Sequence, residues 1–125
     1  MILDTNALSA MADGEAAIAV VLRQQKRIAL PVIVLGEFRY GIAQSRHRND
    51  YEEWLTRTLP LVDVLSVIEQ TTEHYSAICV NLRRAGKPIP TNDIWIASLA
   101  REHGLPILSK DGHFDDVAGV KRVSW

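Results

Sequence analysis

The sequence predicts an α/β fold in three layers, α/β/α, built on a central parallel sheet and spanning residues 1–125 as a single domain. Two observations lead to this expectation. Short apolar runs alternate with longer stretches of helical period along the whole chain, the signature of successive βαβ units. The length of 125 residues fits one core, and no repeat, linker or low-complexity segment interrupts it.

The elements follow in order. Met1-Ile2-Leu3 is an apolar run that ends abruptly at Asp4-Thr5-Asn6. Residues 7–11 and 16–22 read as helix, with Asp13-Gly14 as the break between them. Residues 28–30 form a second short strand candidate, closed by Pro31. Residues 32–43 are too long an apolar pattern for a strand and read as helix, interrupted by Glu37 and Arg39. Tyr51, Trp54, Leu55 and Leu59 recur at helical spacing over the polar residues 46–59, an amphipathic surface helix. Residues 62–65 alternate like a strand. Thr71 or Thr72 caps the next helix, which carries Tyr75, Ile78, Cys79 and Leu82 on one side and stops at Ala85-Gly86. Thr91 is the expected N-cap of a helix that runs from Asn92-Asp93 to His103 and ends at Gly104. Residues 106–109 supply a strand leading into Lys110-Asp111-Gly112, and residues 120–125 hold a last short one.

Composition narrows the function. There are 14 Lys and Arg against 15 Asp and Glu, so the net charge is -1 and a polybasic nucleic-acid coat is excluded. The single cysteine, Cys79, excludes a disulfide framework and reads as a buried, inert thiol. No apolar run approaches the roughly 20 residues that span a bilayer, and no signal peptide is visible, so the expected location is the cytoplasm.

The informative residues are acids where acids are costly. Asp4 directly follows the first strand and Asp111 the strand at 106–109, which places both at carboxyl ends of a parallel sheet. Glu37 shares a largely apolar helix face with Ile33, Val34, Tyr40 and Gly41, and Asp93 lies over Ile96, Ala97 and Ala100. Taken singly, these acids serve as a cap, a buried ion-pair half, a dipole partner and a turn residue. Taken together, carboxylates that converge repel by about 3 kcal/mol per pair at roughly 5 Å. A divalent cation removes that repulsion, and an all-oxygen donor set selects Mg²⁺ or Mn²⁺ over zinc. Such a site, with no separate nucleophile, is that of a metal-dependent hydrolase of a phosphoryl group. His47, His74, His103 and His113 read as surface or turn residues, and Trp54 and Trp95 as packing residues.

Four motifs in order resemble those of PIN-domain ribonucleases, and more narrowly VapC-type toxins of toxin–antitoxin pairs. They are Ile2-Leu3-Asp4-Thr5-Asn6, residues 34–41 around Glu37, Asn92-Asp93-Ile94-Trp95-Ile96-Ala97, and residues 108–114 around Asp111. The resemblance covers nearly the whole chain. It implies a PIN-like fold in which Asp4, Glu37, Asp93 and Asp111 are the catalytic, metal-holding acids. It also implies that Thr5 orients water or a carboxylate beside them, and it offers Asp115 as a further ligand. The implied activity is Mg²⁺- or Mn²⁺-dependent cleavage of structured RNA, a tRNA or a ribosomal RNA loop, by a growth-inhibiting toxin. The implied partners are a second copy of the chain and a small VapB-like antitoxin that also binds operator DNA.

Arg39, Arg46 and Arg48 follow Glu37, while Arg83, Arg84 and Lys87 precede Asp93, so either group can supply phosphate contacts. With one or two divalent ions on the acids, the remaining surface becomes positive by about two to four charges, so RNA binding is expected to depend on metal. Two other readings stand beside this one. A haloacid-dehalogenase-like phosphatase would use Asp4 as nucleophile, with Asp111 and Asp115 as its late acidic pair. Against it, Asn6 stands where that family needs a second Asp and Leu8 where it prefers Thr or Val. A non-catalytic RNA- or protein-binding module would keep the acids as structural groups.

Overall fold

A computed structural model describes residues 1–125. In chain order it has β1 (Ile2–Leu3), α1 (Thr5–Ala12), α2 (Ala16–Arg23), β2 (Ala29–Pro31), α3 (Val32–Ala43) and α4 (Arg48–Thr58). A 3-10 turn at Leu59–Leu61 leads to β3 (Asp63–Leu65), then α5 (Glu69–Ala85), α6 (Thr91–His103) and β4 (Ile107–Leu108). A second 3-10 turn, Gly112–Asp116, precedes β5 (Arg122–Val123). The α/β expectation holds throughout: five strands form one sheet in the order β3-β2-β1-β4-β5, and every pairing is parallel.

The strands are shorter than their apolar runs, two or three residues each. The central ones are buried on both faces, as expected where helices cover a parallel sheet. β1 lies between β2 on one side and β4 on the other, with Ile2 opposite Ala29 and Ile107. The chain thus builds outward through β2 and β3, then crosses back to lay β4 against the free side of β1. The switch in strand order falls at β1, and the crevice outside its carboxyl end is where such sheets bind ligands.

The helices follow from their apolar periods. α3 starts directly after Pro31 and buries Val34, Phe38 and Ile42 at spacings of four. Phe38 meets Tyr51 edge-on at 6.1 Å and Trp54 at 5.8 Å, which fastens α4 to α3. α5 and α6 pack on one another through Ile78, Leu82, Ile94 and their neighbours, and Trp95 stacks on Tyr75 at 3.9 Å. Both helices stop at a left-handed glycine, Gly86 with φ 64° and Gly104 with φ 63°, where a side chain would be strained. The buried apolar side chains form one continuous cluster, and no helix is long and apolar enough to cross a membrane.

Four local expectations are corrected. Thr71 sits in the first turn of α5 and not before it; its hydroxyl accepts the Ile68 N–H from inside the helix at 3.0 Å. Thr91 is the first helical residue of α6, and Pro90 precedes it at the cap position. Cys79 is only half-buried, because the side of α5 that carries it is partly open. Tyr40 is 73% exposed, so the apolar face assigned to Glu37 is covered at Val34 but open one turn later.

Candidate metal centre

Four elements bring the acids together: Asp4 feels the charges of Asp93 and Asp111, Glu37 feels those of Asp93 and Asp4, and Asp93 and Asp111, with His113, come close enough for one ion to bridge. Asp4 is the first residue beyond β1 and the N-cap of α1, its Oδ1 accepting the Ala7 N–H at 2.7 Å. Asp111 lies three residues beyond β4, and its Oδ1 accepts the His113 N–H at 2.9 Å. Asp93 stands in the first turn of α6, and Glu37 in the middle of α3. Strand order makes the first two neighbours, although they are separated by nearly the whole chain.

Electrostatics record the convergence. Burial pushes the Asp4 carboxyl up, and the charges of Asp93 and Asp111 add to the rise, against hydrogen bonds from Ser109 and Ala7. Burial also raises Glu37, helped by Asp93 and Asp4 and opposed by the nearby polar side chains of Thr5 and Asn92. Asp93 is raised by burial and by Asp111, while His113 pulls it down. Each shift has desolvation as its first cause and like charge as a contributor, which is the cost of bringing carboxylates together in a partly buried site. Glu37 Oε1 is buried and makes no hydrogen bond of good geometry, although the Thr5 and Asn92 side chains lie close enough to favour its charge.

Three further residues complete the geometry, and sequence reasoning does not find them. His113 does lie in the Gly112–Asp116 turn, as a turn residue should. Yet its Nδ1 stands 3.2 Å from Asp93 Oδ2 and 3.1 Å from Asp111 Oδ1. One ligand atom each from Asp93, Asp111 and His113 lie within 4.8 Å of one another, a spacing that a single cation can bridge. Ser109, fully buried, donates its hydroxyl hydrogen to Asp4 Oδ2 and accepts the Asp111 N–H at 2.9 Å. It thereby joins the carboxyl ends of β1 and β4. Arg122 on β5 donates to the Ser109 carbonyl at 3.1 Å and grips Asp115 through Nε and Nη2 at 2.9 and 2.8 Å. A hydroxyl residue closing an apolar strand is the one visible signal for Ser109; nothing local marks Arg122.

The remaining predicted residues are placed as follows. Thr5 opens α1 beside Glu37, and both line an open cavity of about 280 Å³ with Ser9, Asp13, Phe38, Ile42 and Tyr51. Asp115 is turned to Arg122, which holds its carboxyl below the usual carboxylate range. Arg39 pairs with Glu52 at 3.3 Å and Lys87 with Asp116 at 3.4 Å. Arg46, Arg48, Arg83 and Arg84 are exposed, and none is within ion-pairing distance of an acid.

The donor set suits a hard divalent ion: several carboxylates, raised in pKa, with a buried oxygen among them that makes no hydrogen bond of good geometry. The chain also resembles known proteins. The sequence profile of the family described as PIN domain matches residues 1–120. The chain is 25% identical over 99 residues to Ribonuclease VapC5 of Mycobacterium tuberculosis, covering 78% of this chain and 73% of that protein. It is 26% identical over 102 residues to the tRNA(fMet)-specific endonuclease VapC of Shigella flexneri, covering 81% and 77%. Among solved structures, VapBC2 of Rickettsia felis bound to a promoter DNA fragment superposes with a TM-score of 0.90 at 22% identity, over 99% and 97% of the two chains. FitAcB from Neisseria gonorrhoeae superposes with a TM-score of 0.83 at 26% identity, over 97% and 94%.

Proposed function

Because the chain belongs to the PIN-domain family, we propose that it is an endoribonuclease that hydrolyses phosphodiester bonds of structured RNA with the help of Mg²⁺ or Mn²⁺. The observation that carries this reading is the convergence of Asp4, Glu37, Asp93 and Asp111 at the strand-order switch, with a buried Glu37 oxygen left without a well-formed hydrogen bond. These four side chains would hold the ion. When bound, it would supply Lewis acidity toward the phosphate and an activated water.

The chain's own residues do the rest. Ser109 fixes the rotamer of Asp4 and the backbone of Asp111 together, so two acids from distant parts of the sequence keep one spacing. His113 sets its Nδ1 between Asp93 and Asp111, within reach of both carboxylates. Thr5, at the start of α1, presents a hydroxyl toward Glu37 and is placed to orient a water or the carboxylate itself. Exposed Arg46, Arg48, Arg83 and Arg84 have charge to spare for RNA phosphates, whereas Arg39 and Lys87 must first leave their acids.

The named relatives support a toxin restrained by an antitoxin. Curated relatives are ribonucleases, one of them specific for tRNA(fMet), and superposing structures are VapBC complexes, some bound to DNA. The proposed partners are accordingly the RNA substrate, a VapB-like antitoxin that binds operator DNA, and a second copy of the chain. Sequencing new RNA 5′ ends after induced expression tests the reading. Discrete ends are expected with the native chain, and none with Asp4→Asn or in lysate treated with EDTA. Cleavage that survives both would overturn it.

A further inference from the structure

Asp115 is the acid whose role the sequence leaves open, and its surroundings decide it. It lies four residues past Asp111, and its Oδ2 is 4.0 Å from the position a Cβ would take on Gly112, so it borders the acidic turn itself. Yet its two oxygens are both taken by the Arg122 guanidinium, at 2.9 and 2.8 Å. The third arm of the same guanidinium is fixed on the Ser109 carbonyl at 3.1 Å. Arg122 is the better buried partner, with 23% of its side chain exposed against 55% for Asp115. A fork held by a carboxylate on one side and a strand-end carbonyl on the other has one orientation, and lysine has no equivalent geometry.

We propose that Arg122 is a positioning residue that withholds Asp115 from the metal centre, keeping that centre at four acids. This rests on the metal-centre reading above and goes beyond it. Four carboxylates on one divalent ion leave a net charge of about -2; a fifth makes it about -3 and occupies a position that Mg²⁺ otherwise keeps for water or phosphate. The added charge repels an incoming RNA phosphate and weakens the ion as a Lewis acid. Arg122 thus trades metal affinity for catalytic competence. Because Ser109 remains held by its own hydroxyl bonds and by its N–H to the Val123 carbonyl, losing Arg122 frees Asp115 without dismantling the strand end.

Titration calorimetry of the full chain with MnCl₂ tests this. Arg122→Met is expected to bind Mn²⁺ about fivefold tighter, the scale of one half-exposed charge interaction, while cleaving RNA more slowly. Arg122→Lys, which keeps a cation but not the fork, is expected to gain affinity to a lesser degree. The double variant Arg122→Met/Asp115→Asn is expected to lose most of the gain. Because Arg122→Lys keeps the positive charge, a gain in that variant reports the release of Asp115 and not the loss of a cation beside Asp111. Unchanged or weaker Mn²⁺ binding in both single variants overturns the inference, as does a gain that persists in the double variant. If the native chain takes up no Mn²⁺, it is the metal-centre reading that fails.

Discussion

α6 carries one mostly buried acid at each end, and the two are treated in opposite ways. Glu102, in the last turn, has 12% of its side chain exposed and is fully answered by the fold. Thr71 donates its hydroxyl hydrogen across both carboxylate oxygens, at 2.9 and 3.2 Å, and His103 stands 3.5 Å away. Asp93, in the first turn, is 19% exposed and faces Asp111, with Asp4 and Glu37 also within electrostatic reach. The helix dipole favours a negative charge at Asp93 and opposes one at Glu102. Even so, the Asp93 carboxyl is raised, because burial and like charge outweigh the dipole there. A buried charge must be satisfied by something. At the far end of α6 that something is a threonine; at the near end the proposed cation would supply it.

The sharpest way to break this comparison is to neutralise each acid in turn. Asp93→Asn is expected to lower RNA cleavage about a thousandfold, since several kcal/mol of metal-derived stabilisation is worth that much. The variant should stay folded, with a metal-free melting temperature no lower than the native chain's, because repulsion is relieved. The rise in melting temperature that Mn²⁺ gives the native chain, about 2.7 kcal/mol of stability at a hundred times its dissociation constant, should vanish. Thr71→Val attacks the other end. It strips a charge-assisted hydrogen bond from Glu102 and an acceptor from Ile68, so urea denaturation should report a loss of about 2 kcal/mol with cleavage per folded molecule unchanged.

Acidity separates the two ends more gently. A carboxyl raised in the folded state binds more protons there than in the unfolded chain, so the metal-free protein loses stability as pH climbs from the ordinary carboxylate range through the raised value. In EDTA, the stability of the native chain should therefore fall relative to Asp93→Asn from about pH 4 upward, by about 1.4 kcal/mol for each tenfold weakening of the acid on folding. Identical pH profiles would mean that Asp93 feels no crowding. Smallest of all, Arg83→Ala with Arg84→Ala should raise KM for RNA a few-fold and flatten its salt dependence, leaving kcat alone.

Most of the fold is legible in the sequence because helical and strand periods are local. The bounds of α3 match the sequence expectation to the residue, and Gly86 and Gly104 end their helices where composition places the stops. The four acids are legible for the same reason: each is out of character with its neighbours. What stays hidden depends on distant pairings. Ser109 matters only once β4 lies beside β1, which joins it to a residue 105 positions earlier. Thr71 looks like a cap because its partner Glu102 is 31 positions away. Asp115 looks like a free ligand because the arginine that claims it belongs to another strand. His113 escapes for a different reason: its place in a turn is local and readable, but the direction of its ring is not written in the spacing.

The order of strands also sets a schedule. β1, α3 and the first turn of α6 supply Asp4, Glu37 and Asp93 first, and Ser109 and Asp111 follow them along the chain. Synthesis proceeds from the amino end at about 5–20 residues per second, so a growing chain holds three of its acids for seconds before the fourth exists. Until β4 is inserted, Asp4 has no hydroxyl to fix it and β1 remains an open edge. The four-acid cluster therefore cannot close before residue 111 has been made, and a chain still short of it lacks both the fourth carboxylate and the hydroxyl that fixes the first.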